Sequence, residues 1–281
     1  MIPPGTSTLQ LDRIDLADIH DPRRLARVVH RQLGHLEGAI PVIEIAEALG
    51  ITEIRQDRLD GCEGLLLTNV RRSQGKILVN TGRGPQAARF SIAHELGHFL
   101  LERHQLGLGG ILHCTLDDMH QVRSQRQHKK QEVEANEFAI GLLAPTYAIA
   151  GSLASEPGID AVLGLRDRLD LSLEAAARCF VEGHDEPLAV VWAQDGRIRY
   201  VVRGPHFPWI KVERGDRLPS LSRSLQLVST APGSVTDMQE VAPIVWTGVS
   251  VLEMFEQARI GRDGHSLTLL WATLPDAEDE S

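Results

Sequence analysis

The segment FSIAHELGHFLLERH, residues 90–104, constrains this chain more than any other stretch. His94 and His98 stand four residues apart, and Glu95 directly follows the first. Ile92, Ala93, Leu96, Phe99 and Leu100 recur at helical spacing around them, which predicts a helix over roughly 85–102 opened by Pro85. On a helix, positions i and i+4 share a face, so both imidazoles can aim at one ion. Zinc takes nitrogen ligands at about 2.0–2.1 Å. Glu95 adjoins the pair without occupying the ion's place. A carboxylate there can take a proton from an attacking water and pass it to a leaving amine. HExxH has only three fixed positions and recurs by chance, so its context decides its meaning.

That context includes a candidate third ligand. A catalytic zinc site needs three protein donors and one open position. The segment EVEANEFA offers Glu132, Glu134 and Glu137, and Glu132 follows His98 by 34 residues. Each helical residue advances about 100°. Ala135, Phe138, Ala139 and Leu142 set the apolar stripe. Glu132 projects beside that stripe and shares a face with Asn136, whose amide can orient a liganding histidine. Glu134 lies on the other flank as the fallback, and Glu137 points to solvent. The expected metal ligands are therefore His94, His98 and Glu132.

RFSIAHELGHFLL and EVEANEFAIGLLAP together resemble the ImmA/IrrE family of zinc metallopeptidases. The likeness runs over about residues 20–150. It also takes in a helix ending in ALGI, Gly64 before an apolar strand, and KILVN. It implies an α+β chain that opens with a gluzincin-like domain, a small sheet plus the HExxH helix. It further implies one Zn2+ per chain on His94, His98 and Glu132, with Glu95 as catalytic base. Manganese is an alternative ion in vitro. Members of the family typically cleave helix-turn-helix repressors, releasing stress-response or mobile-element genes. The expectation is thus an endopeptidase acting on such a repressor. An extended substrate segment would pair with an edge strand near Lys76–Asn80. The alternative is a DNA-binding or protein-binding regulator whose metal site is sensory.

The rest of the chain divides by pattern. Residues 1–150 form the expected metallopeptidase domain, with helices over 22–33 and 41–49 and short strands at ITEIRQ, GLLLTNV and KILVN. Gly107 to about Lys130 reads as a long polar loop, with His104, His113, His120 and His128 as solvated histidines in and near it. Tyr147 and His113 are candidates to stabilise an oxyanion. Residues 151–185 read as a helix-turn-helix-like linker in which Arg178 is the sole basic residue of the second helix suited to reading bases. Residues 186–281 read as a β-rich sensory or docking domain. Its hairpin turns at Asp195-Gly196, and Trp192, Trp209, Trp246 and Trp271 are expected in its core.

Composition excludes several classes. The net charge of −9 argues against direct DNA contact, which needs a basic footprint. Cys62, Cys114 and Cys179 are odd in number and widely spaced, so they form no disulfide framework or thiolate zinc ribbon, and a reducing cytoplasm is expected. No apolar run reaches the ~18 residues of a membrane span.

Overall fold

The computed structural model describes residues 9–106, 111–114, 125–226, 231–249 and 251–275. The chain divides into two units. One comprises Met1–Ala148 with Arg168–Ser172, the other Ile149–Asp167 with Leu173–Ser281. The class is α+β, a small mixed sheet with helices followed by a β-rich C-terminal sheet.

In the first unit, helix α1 (Pro22–Leu33) starts where Asp21 accepts the Arg24 N–H at 2.6 Å, with Pro22 pre-set for the first turn. Helix α2 (Val42–Ala48) ends ahead of Gly50, whose φ of 103° suits glycine. Strands β1 (Ile51–Asp57), β2 (Gly64–Thr68) and β3 (Gly75–Asn80) follow. Then come helix α3 (Pro85–Leu100), strand β4 (Ile111–Cys114) and helix α4 (Gln125–Leu143). The sheet order is β1-β3-β2-β4, with β1 parallel to β3 and the other pairs antiparallel.

β3 is itself paired on both sides, so an edge strand near Lys76–Asn80 is its neighbour β1 or, beyond β2, β4. One expectation is corrected. The polar stretch after Gly107 is not one loop. It contains β4, and α4 starts at Gln125, well before Lys130. The pattern hid this because a four-residue edge strand and a solvated helix start carry little apolar periodicity.

Helix α3 packs against β2 and β3 on one side and α4 on the other, while α4 also meets α1. Every residue of α3 from Ser91 to Leu100 is buried. A helix enclosed all round must find partners for its polar side chains within the protein.

The second unit holds α5 (Thr146–Leu153, from Ile149 onward), α6 (Ile159–Leu169, up to Asp167) and α7 (Leu173–Gly183). Strands β5 (Leu188–Gln194), β6 (Arg197–Arg203), β7 (Gln239–Glu240), β8 (Glu253–Ile260) and β9 (His265–Thr273) form an antiparallel sheet in the order β6-β5-β9-β8-β7. Asp195 and Gly196 turn the β5–β6 hairpin with φ values of 51° and 70°. Helix α7 packs on β5 and β6, burying Ala176, Ala177, Phe180 and Val181. Arg178 pairs with Glu182 at 3.1 Å. Only Trp246 among the four tryptophans is fully buried. Trp209 is 61% exposed beneath the Arg203 guanidinium, so the expectation of four core tryptophans is corrected.

Glu256, on β8, is wholly buried. It accepts Trp246 Nε1–H at 2.9 Å and the Ser224 N–H at 3.2 Å. Burial, outweighing those hydrogen bonds, raises its pKa above the usual carboxyl value. The unfolded chain therefore ionises first as pH rises. The stability that protonated Glu256 contributes is full below the unfolded pKa and is lost as pH climbs toward the folded one. Glu256→Gln cannot satisfy both N–H donors, and it should cost about 1–3 kcal/mol at pH 4. The gap to wild type should shrink as pH rises. All four tryptophans lie in this unit, so fluorescence-monitored thermal unfolding reports on it directly. A gap that widens with pH would contradict the assignment.

Candidate metal centre

Helix α3 brings His94 and His98 one turn apart, and α4 brings Glu132 against them. His94 Nε2 is 3.2 Å from Glu132 Oε2, His98 Nε2 is 3.2 Å from Glu132 Oε1, and the two Nε2 atoms are 3.1 Å apart. Each imidazole faces a different oxygen of the one carboxylate, and one ligand atom from each of the three residues lies within 4.8 Å of the others, so the three donors form a triangle. Tetrahedral zinc with bonds of about 2.0–2.2 Å places its ligand atoms roughly 3.3–3.5 Å from one another, the scale of the separations between these side chains. Among the described residues this is the one group of histidine, cysteine and acidic side chains that can hold a metal.

The helices can approach this closely because of Gly97. A Cβ there would lie 3.0 Å from Phe138 Cδ1 and 3.4 Å from the Ala135 Cα. Glu95 is fully buried beside the triangle, on the sheet side of α3. Gly64 of β2 makes room for it, since a Cβ at Gly64 would lie 3.2 Å from both Glu95 Cγ and Cδ and would collide with Oε1. Gly64 stood out in the sequence only as part of a family likeness. The need for glycine there comes from the approach of its strand to Glu95.

Both histidines are oriented from behind. His94 Nδ1 meets Asn136 Oδ1 at 2.9 Å, the contact expected of that amide. His98 Nδ1 meets His104 Nδ1 at 2.8 Å, and His104 Nε2 meets Glu134 Oε2 at 3.1 Å. Arg103 holds the same carboxylate at 2.7 Å. His104 is 2% exposed, which corrects its reading as a solvated loop histidine. Two residues separate Leu101 from His104, and a turn in which the His104 N–H donates to the Leu101 carbonyl at 2.9 Å folds the ring back on α3. The spacing from His98 to His104 matches no helical repeat, so periodicity could not flag it. Glu137, as expected, sits outside the cluster and pairs with Arg23 at 3.3 Å.

Arg72 closes the C-terminal end of α3. It is 3% exposed, lies in the β2–β3 turn with φ 48°, and donates to the carbonyls of His98, Phe99 and His104. Those carbonyls would otherwise be orphaned at a buried helix end. Arg89 braces α3 through the Ile40 carbonyl at 2.9 Å and Asp170 at 3.1 Å.

The electrostatics suit cation binding. Burial alone would raise Glu132, but hydrogen bonds from His94 and His98 outweigh it and hold the carboxyl far below its usual range. Burial opposes the charge on His94, yet Glu132 and Glu95 together raise its pKa. Burial lowers His98. Burial, then the neighbouring His98, lowers His104 to about 4, leaving it neutral at pH 7. An anionic carboxylate flanked by two imidazoles is a donor set that a divalent cation can claim by displacing a proton.

Of the two oxyanion candidates, Tyr147 has other partners. The Tyr147 hydroxyl is engaged by His30 Nδ1 at 3.3 Å and the Leu36 N–H at 3.4 Å, and its ring stacks on His35. The side chains of His113 and Cys114, and all of His120, lie outside the described residues. His128 Nε2 stands 3.8 Å from Glu132 Oε1, one turn before it on α4. No helix among the described residues is long and apolar enough to cross a membrane.

A search of curated proteins found no match to the chain. Its fold is shared by a Mycobacterium tuberculosis transcriptional regulator at 16% identity and a TM-score of 0.55, covering 93% of this chain and 78% of that one. Residues 46–180 match the family model Peptidase_M78, the IrrE N-terminal-like domain, and so include α3, α4 and all three residues of the metal triangle. With the paired motifs on facing helices, the chain carries an IrrE N-terminal-like domain of the Peptidase_M78 family.

Proposed function

We propose that the protein is a zinc-dependent endopeptidase that cleaves a regulatory protein, most directly a helix-turn-helix repressor. The observation that carries this reading is a fully buried Glu95 beside the His94–His98–Glu132 triangle within a Peptidase_M78 domain. His94, His98 and Glu132 would hold the ion. Zinc, when bound, supplies Lewis acidity toward the scissile carbonyl. Glu95 takes the proton of the attacking water and delivers it to the leaving amine nitrogen. Its burial against Gly64 keeps bulk water away from that transfer. Asn136 holds the His94 ring in the required orientation. The substrate segment lies along β4, the edge strand paired to β2, whose Gly64 adjoins Glu95.

The test is incubation of the purified, zinc-loaded protein with helix-turn-helix repressors encoded beside its gene, followed by mass spectrometry. A new terminus at one or few bonds is expected, and it should disappear with a chelator. Intact repressors throughout would overturn the peptidase reading. A regulator with a sensory metal is the second reading, favoured by the function named for the Mycobacterium tuberculosis relative in fold. It requires sequence-selective DNA binding with a steep negative salt slope.

A further inference from the structure

The metal triangle leaves one polar chain unaccounted for, the line His98–His104–Glu134–Arg103. Its direction follows from chemistry. If His98 Nε2 faces an ion, the ring's one proton must sit on Nδ1. That N–H points at His104 Nδ1, 2.8 Å away, so this nitrogen must accept. His104 then carries its own proton on Nε2, which points at Glu134 Oε2, 3.1 Å away. The carboxylate accepts it and is itself held by Arg103 at 2.7 Å. Reversing the chain would require an ionised carboxylate to donate, which it cannot do.

We propose that His104 is a positioning residue of the metal centre: backed by Glu134, it accepts the Nδ1 proton of His98 and thereby fixes that ligand's tautomer and ring plane. The proposal rests on the metal reading above. Two further observations support a built device over a core histidine that has merely found partners. Arg72 donates to the backbone carbonyls of both His98 and His104, so the same guanidinium sets the two residues relative to each other. Helix α4 also grips the His98 ring from both flanks, with Glu132 at Nε2 and Glu134, through His104, at Nδ1. The two ligands are therefore unequally supported. His94 donates to a neutral amide, whereas His98 donates to an imidazole polarised by a carboxylate, which makes His98 the more basic ligand.

The experiment uses the full chain loaded with zinc. Long-range proton–nitrogen spectra of histidine-labelled protein should find His104 protonated on Nε2 alone and His98 on Nδ1 alone. His104 protonated on Nδ1, or on both nitrogens, overturns the proposal. In chelator competition, His104→Phe keeps the ring volume but loses the acceptor, and it should weaken zinc binding about 10–100-fold. It should also shift the visible spectrum of the cobalt-substituted protein. His104→Asn restores an acceptor near the Nδ1 position and should recover most of the affinity. Wild-type affinity and spectrum in a folded His104→Phe protein would overturn the proposal, as would an Asn variant no better than Phe. If the Phe variant does not fold, the wild-type tautomers decide. A chain that binds zinc but cuts no repressor overturns the peptidase reading and leaves this proposal standing. A wild-type chain that binds neither zinc nor cobalt removes both.

Discussion

Glu95→Gln is expected to lower proteolysis by about two to four decades while zinc binding stays at the wild-type level. The amide matches the carboxylate in size and fits the same space against Gly64, where even a Cβ on the strand would clash. It cannot take a proton. Glu95 is no corner of the donor triangle, so the metal has no reason to leave. Zinc content and cleavage rate on the same preparation check both halves. Cleavage near the wild-type rate would remove Glu95 as the base. A metal-free Gln variant would show that Glu95 instead helps hold the ion.

The second large effect concerns α4. Glu132→Ala deletes one corner of the triangle and leaves two imidazoles 3.1 Å apart with no anion between them. It should lower zinc affinity by more than the roughly 10–100-fold that loss of an outer partner gives, and it should abolish cleavage. Glu137→Ala should change neither, because that side chain pairs with Arg23 and is no member of the metal-binding group among the described residues. Glu134→Ala should fall between them, since its carboxylate acts through His104. Zinc titrations on the three alanine variants separate these outcomes. If Glu134→Ala loses the metal and Glu132→Ala keeps it, the helix phase read from the stripe is wrong.

That phase was legible in the sequence because it is local. With about 100° per residue, Ala135, Phe138, Ala139 and Leu142 define the buried side of α4, and Glu132, Glu134 and Glu137 then have fixed angles around it. The same locality gave the i, i+4 pairing of His94 with His98, the caps at Asp21 and Pro22, and the turn at Asp195-Gly196. Each depends on covalent geometry over a few residues. The likeness carried by HELGH and EVEANEFA added which glutamate to expect opposite the histidines.

What depended on approach between distant segments could not be read that way. β3 is interior because β1, which precedes β2 in the chain, pairs beside it in parallel, a fact of registry and not of pattern. His104 looked like a loop histidine because it lies beyond the end of α3. Only the fold-back at Leu101, the Arg72 guanidinium from another turn, and Glu134 from another helix make it a buried partner of His98. Trp209 followed the rule that tryptophans fill cores until its surroundings left it exposed. Amino-acid order alone thus determined which side chains face one way along each helix. Which faces meet was decided by packing: Gly97 against Phe138 and Ala135, and Gly64 against Glu95, set how closely three elements converge, and that closeness turns a pair of helical motifs into one centre.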